Sequence, residues 1–244
     1  MTITSRDNEK LKLVRKLRER RGRDKLGLFA CEGEDLVAAA LDAGLEPVEM
    51  LVDAERRVLL ERVPGADLVA PELLAGVSTL GHPPRVIAVF RHEALPRLDQ
   101  AVAPPLGLAL WRVGDPGNVG TLLRALDAFG PGFLALSAGC ADPVGPKALR
   151  AAAGATFRVP TCGFDEAPGR RVALVVRGGA PLAELEPAAV TTFVLGAERE
   201  GLPADVLARC DAVATIPQTG PAESLNVAMA GTLALYAART STRA

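Results

Sequence analysis

The chain has 244 residues, 49% of them apolar and only 4% aromatic, and its formal net charge is −1. That is room for one large or two small folded units with cores built from Ala, Val and Leu, and it excludes a disordered polyelectrolyte. Cys31, Cys140, Cys162 and Cys210 form no Cys-x-x-Cys pair and the only histidines are His82 and His92, so no metal centre is expected and the thiols read as reduced, mostly buried apolar groups.

The opening MTITSRDNEK is polar and lacks the apolar run of a signal peptide. Residues 1–25 predict a helix whose sparse apolar side is Leu11, Leu13, Val14 and Leu17. The same segment carries Arg6, Lys10, Lys12, Arg15, Lys16, Arg18, Arg20, Arg21, Arg23 and Lys25 against Asp7, Glu9, Glu19 and Asp24. A basic block at one end of a neutral chain is what a phosphate-tracking face requires, and a plain solvated helix face shows the same pattern. Next come a strand at 27–33, a helix at 34–44 closed by Gly44, a strand at 48–53 and a helix at 54–63. A short strand at 67–70, a helix from Pro71 and a strand at 85–90 complete this half. Residues 92–105 hold three prolines and no periodicity, and read as a linker.

The second half predicts strands at 106–113, 132–137, 156–160, 171–177, 191–196 and 211–217, with helices near 120–129, 145–153, 203–209 and 224–239. Near-continuous apolar strands alternating with helices predict an α/β fold with a parallel sheet covered on both faces. The longest apolar stretch, 225–238, is interrupted by Asn226 and Thr232 and is too short to span a bilayer. No membrane association and a cytoplasmic location are therefore expected.

Three loops follow strands, where such sheets bind ligands. The first, GDPGNVGTLLRALDAFG (114–130), has glycines spaced G-x-x-G-x-x-G, a poor dinucleotide fingerprint that argues against a nicotinamide dehydrogenase. Asn118 lies near the helix start, and Arg124 lies off the apolar stripe of Leu122, Leu123, Leu126 and Phe129. A bland alternative pairs Arg124 with Asp127 at i,i+3. The second loop, VLGAEREGLP (194–203), brackets Glu198, Arg199 and Glu200 with glycines. In the third, IPQTGPAESLNVAMAGTLALY (216–236), Ser224 suits an N-cap, which leaves Asn226 unexplained in an otherwise apolar first turn.

Taken together, the Asn118 to Arg124 spacing, the G-x-E-x-x-G-L from Gly196 to Leu202, the Ser-Leu-Asn of 224–226 and the connecting DPVGPKALRAAAGATFRVP (142–160) resemble the SpoU/TrmH family of RNA ribose methyltransferases, within the SPOUT superfamily. The first half, through FACEGEDLV (29–37), is similar to that family's small α/β substrate-binding domain, itself akin to ribosomal RNA-binding proteins. The resemblance implies an RNA substrate-binding domain at 1–91, a linker at 92–105 and a SPOUT domain at 106–244 with a parallel sheet and a deep trefoil knot. It also implies a homodimer with its site at the subunit boundary. S-adenosylmethionine would be contacted by Gly196, Ile216 and Leu225, with Leu195, Ala197 and Asn226 beside them. Asn118, Arg124, Glu198, Ser224 and Asn226 match the family's functional polar positions.

The implied reaction is transfer of a methyl group to a ribose 2′-hydroxyl in structured RNA, ribosomal RNA before transfer RNA. A ribose hydroxyl is a weak nucleophile, so the protein must orient it and stabilise charge building on oxygen. Arg124 suits that role, since a guanidinium is a rigid donor with no acceptor. Glu198 is expected to order its loop or to touch RNA. RNA contacts are expected from Arg6, Lys10, Arg15, Arg18, Arg21 and Arg23, and from Lys147 and Arg150 near the site. Two rivals stay open: a SPOUT enzyme that methylates a base, and a catalytically silent RNA-binding or ribosome-assembly factor.

Overall fold

The computed structural model describes residues 2–186, 188–221 and 224–241. The first part of the chain runs β1 (Thr2–Ile3), α1 (Glu9–Leu17), α2 (Arg20–Leu26), β2 (Leu28–Glu32), α3 (Glu34–Asp42), β3 (Glu49–Asp53), β4 (Asp67–Val69), α4 (Pro71–Val77) and β5 (Val86–Arg91). Its strands form one sheet in the order β1-β4-β3-β5-β2. β1, β4 and β3 are parallel, and β5 runs antiparallel to both β3 and β2.

The second part runs β6 (Leu106–Leu110), α5 (Pro116–Phe129), β7 (Gly132–Leu136), α6 (Pro146–Ala152), β8 (Thr161–Gly163), β9 (Arg170–Val175), β10 (Ala180–Pro181), β11 (Thr191–Leu195), α7 (Ala204–Leu207), β12 (Ala212–Thr215) and α8 (Val227–Ser241). All seven strands are parallel, in the order β10-β12-β9-β11-β6-β7-β8. Fully buried runs such as Leu106–Leu110 explain why these strands read as unbroken apolar sequence. Between the two sheets, residues 92–105 hold two short 3₁₀ turns, and Arg97 bridges Thr161. No helix among the described residues is long and apolar enough to cross a membrane.

Several local expectations are corrected. Residues 2–26 hold a strand and two helices: Asn8 caps α1, the extended backbone of Glu19 ends it and starts α2, and Gly22 lets α2 fold back closely, since a Cβ there would fall 2.0 Å from the Lys16 carbonyl oxygen. The helix expected at 54–63 is absent apart from a 3₁₀ turn at Leu60–Arg62. Asp53 draws in the Glu55 and Arg56 amides, and Arg57 and Leu59 sit in the left-handed region, which ends any helix there. The strand expected at 156–160 is displaced to 161–163, after a 3₁₀ turn at Ala155–Phe157.

The two parts share a core. On one face of the first sheet α1 and α4 bury Leu11, Val14, Leu17 and Leu74 against Leu51 and Ile87. On the other, Phe29, Val37 and Phe90 pack with Val144, Leu149 and Phe157 from the second part. Burying a side chain of this size fully is worth ~1.5–3 kcal/mol, so the second part helps hold the first. The buried Arg23 adds a polar tie: it donates to Asp142 Oδ2 from Nε and Nη2, both at 2.7 Å, and from Nη1 to the Leu17 and Arg18 carbonyls at 2.8 Å.

Candidate active site

The loops leaving β6, β11 and β12 meet at the carboxyl edge of the parallel sheet. In the first, Asp115 caps α5 by accepting from the Asn118 amide at 3.0 Å, with Pro116 in the position where its missing N–H costs nothing. The other Asp115 oxygen lies 2.8 Å from Lys147 Nζ. These two contacts, the lysine first, hold the Asp115 carboxyl below the usual carboxylate range. α5 therefore begins four residues earlier than periodicity indicated, and Asn118 belongs to its first turn.

Asn118 is the centre of a side-chain relay. Its Nδ2 donates to Glu198 Oε1 at 2.9 Å, and its Oδ1 accepts from Asn226 Nδ2 at 3.1 Å. Asn226 in turn accepts through Oδ1 from the Ala228 and Met229 amides at 2.8 and 3.3 Å, and its carbonyl takes the Ala230 amide. Asn226, not Ser224, is thus the N-cap of α8, which explains an amide at the head of an apolar helix. One residue starts the helix with its oxygen and ties it to the motif of α5 with its nitrogen.

Gly196 opens the second loop. A Cβ there would fall 2.2 Å from the Gly201 carbonyl carbon, because residues 197 and 201 bridge and the chain doubles back. Under this loop lies a cavity of about 650 Å³, with Leu174, Val176, Leu195, Ile216 and Leu225 as its apolar wall. Gly196, Ala197, Ser224 and Asn226 line it too. Gln218 also borders it, and its Oε1 is buried with no hydrogen-bond partner among the described residues. A glycine-floored cavity of this size, with an apolar wall on one side, the polar Glu198, Arg199 and Glu200 on its rim and an acceptor to spare, suits a nucleoside carrying an amino-acid tail. The cofactor positions expected from the sequence, Leu195, Gly196, Ala197, Ile216, Leu225 and Asn226, all border this one cavity. A second cavity of about 730 Å³ adjoins it, bordered by Arg112, Asp115, Asn118, Glu198, Arg199 and Asn226.

Arg124 stands apart from both. It is exposed on α5, six residues after Asn118, and makes no ion pair or hydrogen bond among the described residues. Asp127 does not pair with it; Arg158 holds that carboxylate at 2.7 and 3.1 Å. Of the expected RNA contacts, Arg23 is corrected: it is buried in the tie to Asp142 and offers nothing to a ligand. Lys10 sits between Glu49 and Asp67 at 2.7 and 2.6 Å, and Arg18 donates to the carbonyls of residues 76, 77 and 78. Arg15 donates to the Arg6 carbonyl, Lys147 binds Asp115, and Arg150 donates to Thr79 Oγ1 at 3.0 Å. Arg6 and Arg21 are exposed with no side-chain partner among the described residues. Sequence reasoning missed Asp115, although Asp-Pro three residues before Asn118 is a cap signal. It also missed Gln218 and Arg112, for which no local pattern exists.

Residues 105–236 match the SpoU rRNA Methylase family, and residues 8–88 match the MRM3-like substrate binding domain. The 23S rRNA (guanosine(2553)-2′-O)-methyltransferase RlmP of Bacillus subtilis is 32% identical over 96% of this chain and 97% of its own. Among solved structures, the S-adenosylmethionine-bound rRNA methyltransferase from Sinorhizobium meliloti is similar with a TM-score of 0.86 and 28% identity, covering 99% of this chain and 98% of that one. The SpoU methyltransferase AviRb from Streptomyces viridochromogenes, also with S-adenosylmethionine, has a TM-score of 0.84 at 26% identity, over 97% of this chain and 99% of that one.

Proposed function

The chain belongs to the SpoU rRNA methylase family, and from that premise we propose that it methylates a ribose 2′-hydroxyl of ribosomal RNA with S-adenosylmethionine. The observation that carries the reading is the relay Glu198–Asn118–Asn226, which draws three loops together beside the Gly196 cavity. Bound in that cavity, S-adenosylmethionine supplies a methyl group on a sulfonium, an already activated donor. Leu195, Gly196, Ala197, Ile216 and Leu225 would hold it, with Gln218 Oε1 free to accept an N–H.

The protein's own task is to orient the ribose and to stabilise charge on its oxygen. Asn118 spends one N–H on Glu198 and one lone pair on Asn226, and keeps one of each for a ligand. Arg124 is the oxyanion donor in this reading. Its exposure fits a homodimer in which a second copy covers the apolar side of α8, where Met229, Leu233 and Tyr236 are 56%, 41% and 54% exposed at i, i+4, i+7 spacing. Arg124 would then meet the reacting ribose at the boundary between copies. The trefoil knot belongs to the same proposal: α8, last in the chain, packs against α5, the first helix after β6. Residues 1–91 dock the RNA through Arg6, Arg21 and their neighbours, residues 92–105 connect, 106–244 catalyse, and the work is cytoplasmic.

The test incubates the purified protein with S-adenosylmethionine and unmodified 23S ribosomal RNA transcript, then analyses the nucleosides. A 2′-O-methylnucleoside is expected. A base-methylated nucleoside would transfer the chain to the base-modifying SPOUT enzymes. Calorimetry that detects no S-adenosylmethionine binding would make it a silent RNA-binding factor.

A further inference from the structure

Arg112 follows β6 by two residues and has φ +53°. An L side chain in that region costs energy that glycine does not pay. The strain is held from both sides. The Trp111 amide donates to the Leu195 carbonyl at 2.8 Å and the Arg112 amide to Ser137 Oγ at 2.9 Å, while Val113 accepts from the Ala141 amide at 2.9 Å. The arginine stem lies over Gly139, where an added Cβ would stand 3.5 Å from Arg112 Cγ. A pinned, strained backbone at a cleft points to use of the side chain it carries.

That side chain borders the 730 Å³ cavity, and its guanidinium has no ion pair or hydrogen bond among the described residues. Asp115 is paired with Lys147, Glu198 is held by the Asn118 amide, and Arg199 and Glu200 add one charge of each sign to the same rim. An exposed guanidinium with no ion pair among the described residues, bordering the same cavity as Asn118, suits an anion. The anion nearest any 2′-hydroxyl is the phosphodiester on the adjoining 3′-oxygen, and arginine binds phosphate bidentately. We propose that Arg112 grips the phosphodiester flanking the target ribose and sets that ribose against Asn118. The assignment rests on reading the cleft as a site of RNA 2′-O-methylation.

The experiment compares the full-length parent with Arg112→Gly and Arg112→Lys. It measures thermal midpoint, S-adenosylmethionine affinity, and kcat and KM for 23S ribosomal RNA transcript across salt concentrations. Glycine relieves the strain, so Arg112→Gly should melt about 2–4 °C higher than the parent. Its cofactor affinity should stay within about twofold, because Arg112 does not border the Gly196 cavity. Its KM should rise about tenfold, more than kcat falls, and the log–log salt slope of RNA binding should flatten by about 0.7, one phosphate contact. Arg112→Lys should keep the parent's salt slope and recover part of the KM. A more stable Arg112→Gly with unchanged KM and slope overturns the proposal and leaves the methyltransferase reading standing. An equal loss of cofactor affinity makes Arg112 a structural residue and overturns it as well. A parent that methylates no ribose hydroxyl overturns the reading itself, and the proposal with it.

Discussion

Asn226 does two jobs through two atoms, and two substitutions separate them. Its oxygen caps α8 through the Ala228 and Met229 amides, and its nitrogen donates to Asn118. Asn226→Ala loses both. The cap alone is worth ~1 kcal/mol, within a range of ~0.5–2. For a chain of this length that lowers the melting midpoint by about 2–4 °C. Asn226→Asp keeps the acceptor, and a carboxylate at a helix start is favourable by ~0.3–1 kcal/mol. Its midpoint should stay within about 2 °C of the parent. Its chemistry should not survive. Asn118 has one N–H face and one oxygen face, and would stand between two carboxylates. Whichever way its amide turns, its oxygen opposes one of them. A displacement of roughly 1 Å at a reacting group costs about a hundredfold in rate, so Asn226→Asp should turn over at about 1% of the parent. Thermal melts and transfer of a labelled methyl group to 23S ribosomal RNA read the two effects separately. An Asn226→Asp enzyme with the parent's turnover, or one as unstable as Asn226→Ala, would refute the reasoning.

Arg124→Ala should lose roughly a hundredfold or more in turnover, since one oxyanion donor is worth ~2.7–4 kcal/mol. Calorimetry should find its S-adenosylmethionine affinity nearly unchanged, and equal losses in both would assign Arg124 to structure. Asp142→Ala leaves the buried Arg23 charge without its partner. A loss of ~3–5 kcal/mol, divided by an m-value of about 3 kcal/mol per molar, lowers the urea midpoint by about 1–1.7 M. A midpoint within about 0.3 M of the parent would remove the pair from the stability argument. Asp115 binds its proton less readily folded than unfolded. Its contribution to stability is complete above the unfolded carboxylate value and disappears as pH falls through the depressed folded value. Carboxyl NMR should find Asp115 titrating below exposed aspartates, and Lys147→Met should move it back up. An unmoved titration would assign the shift to the α5 cap.

Strands such as β6 and β7 were legible because burial on both faces leaves unbroken apolar runs. The positions expected for the cofactor came from family likeness, while their convergence on one cavity needed the sheet order β12-β9-β11-β6 to bring distant loops together. Ser224 and Asn226 are both good caps two residues apart, so local pattern alone could not choose between them. Arg23 looked like one more charge on a solvated helix, because nothing in residues 1–25 announces Asp142, 119 residues away. Left-handed backbone at Arg57, Leu59 and Arg112 was invisible for a related reason: residue type argues against it, and only surrounding structure imposes it.

The contact between α2 and the turn after β7 bears on how such proteins diversify. Arg23 reaches Asp142, Arg20 reaches the Cys140 carbonyl, and Gly139 in that same turn carries the Arg112 stem. The part that matches a substrate-binding domain and the rim of the candidate site are therefore one mechanical assembly. Exchanging the first 91 residues for those of a relative, to redirect such an enzyme to another RNA, would leave Asp142 facing an unmatched surface unless a guanidinium came with the graft. Retargeting by fusion has to carry this joint across together with the recognition face.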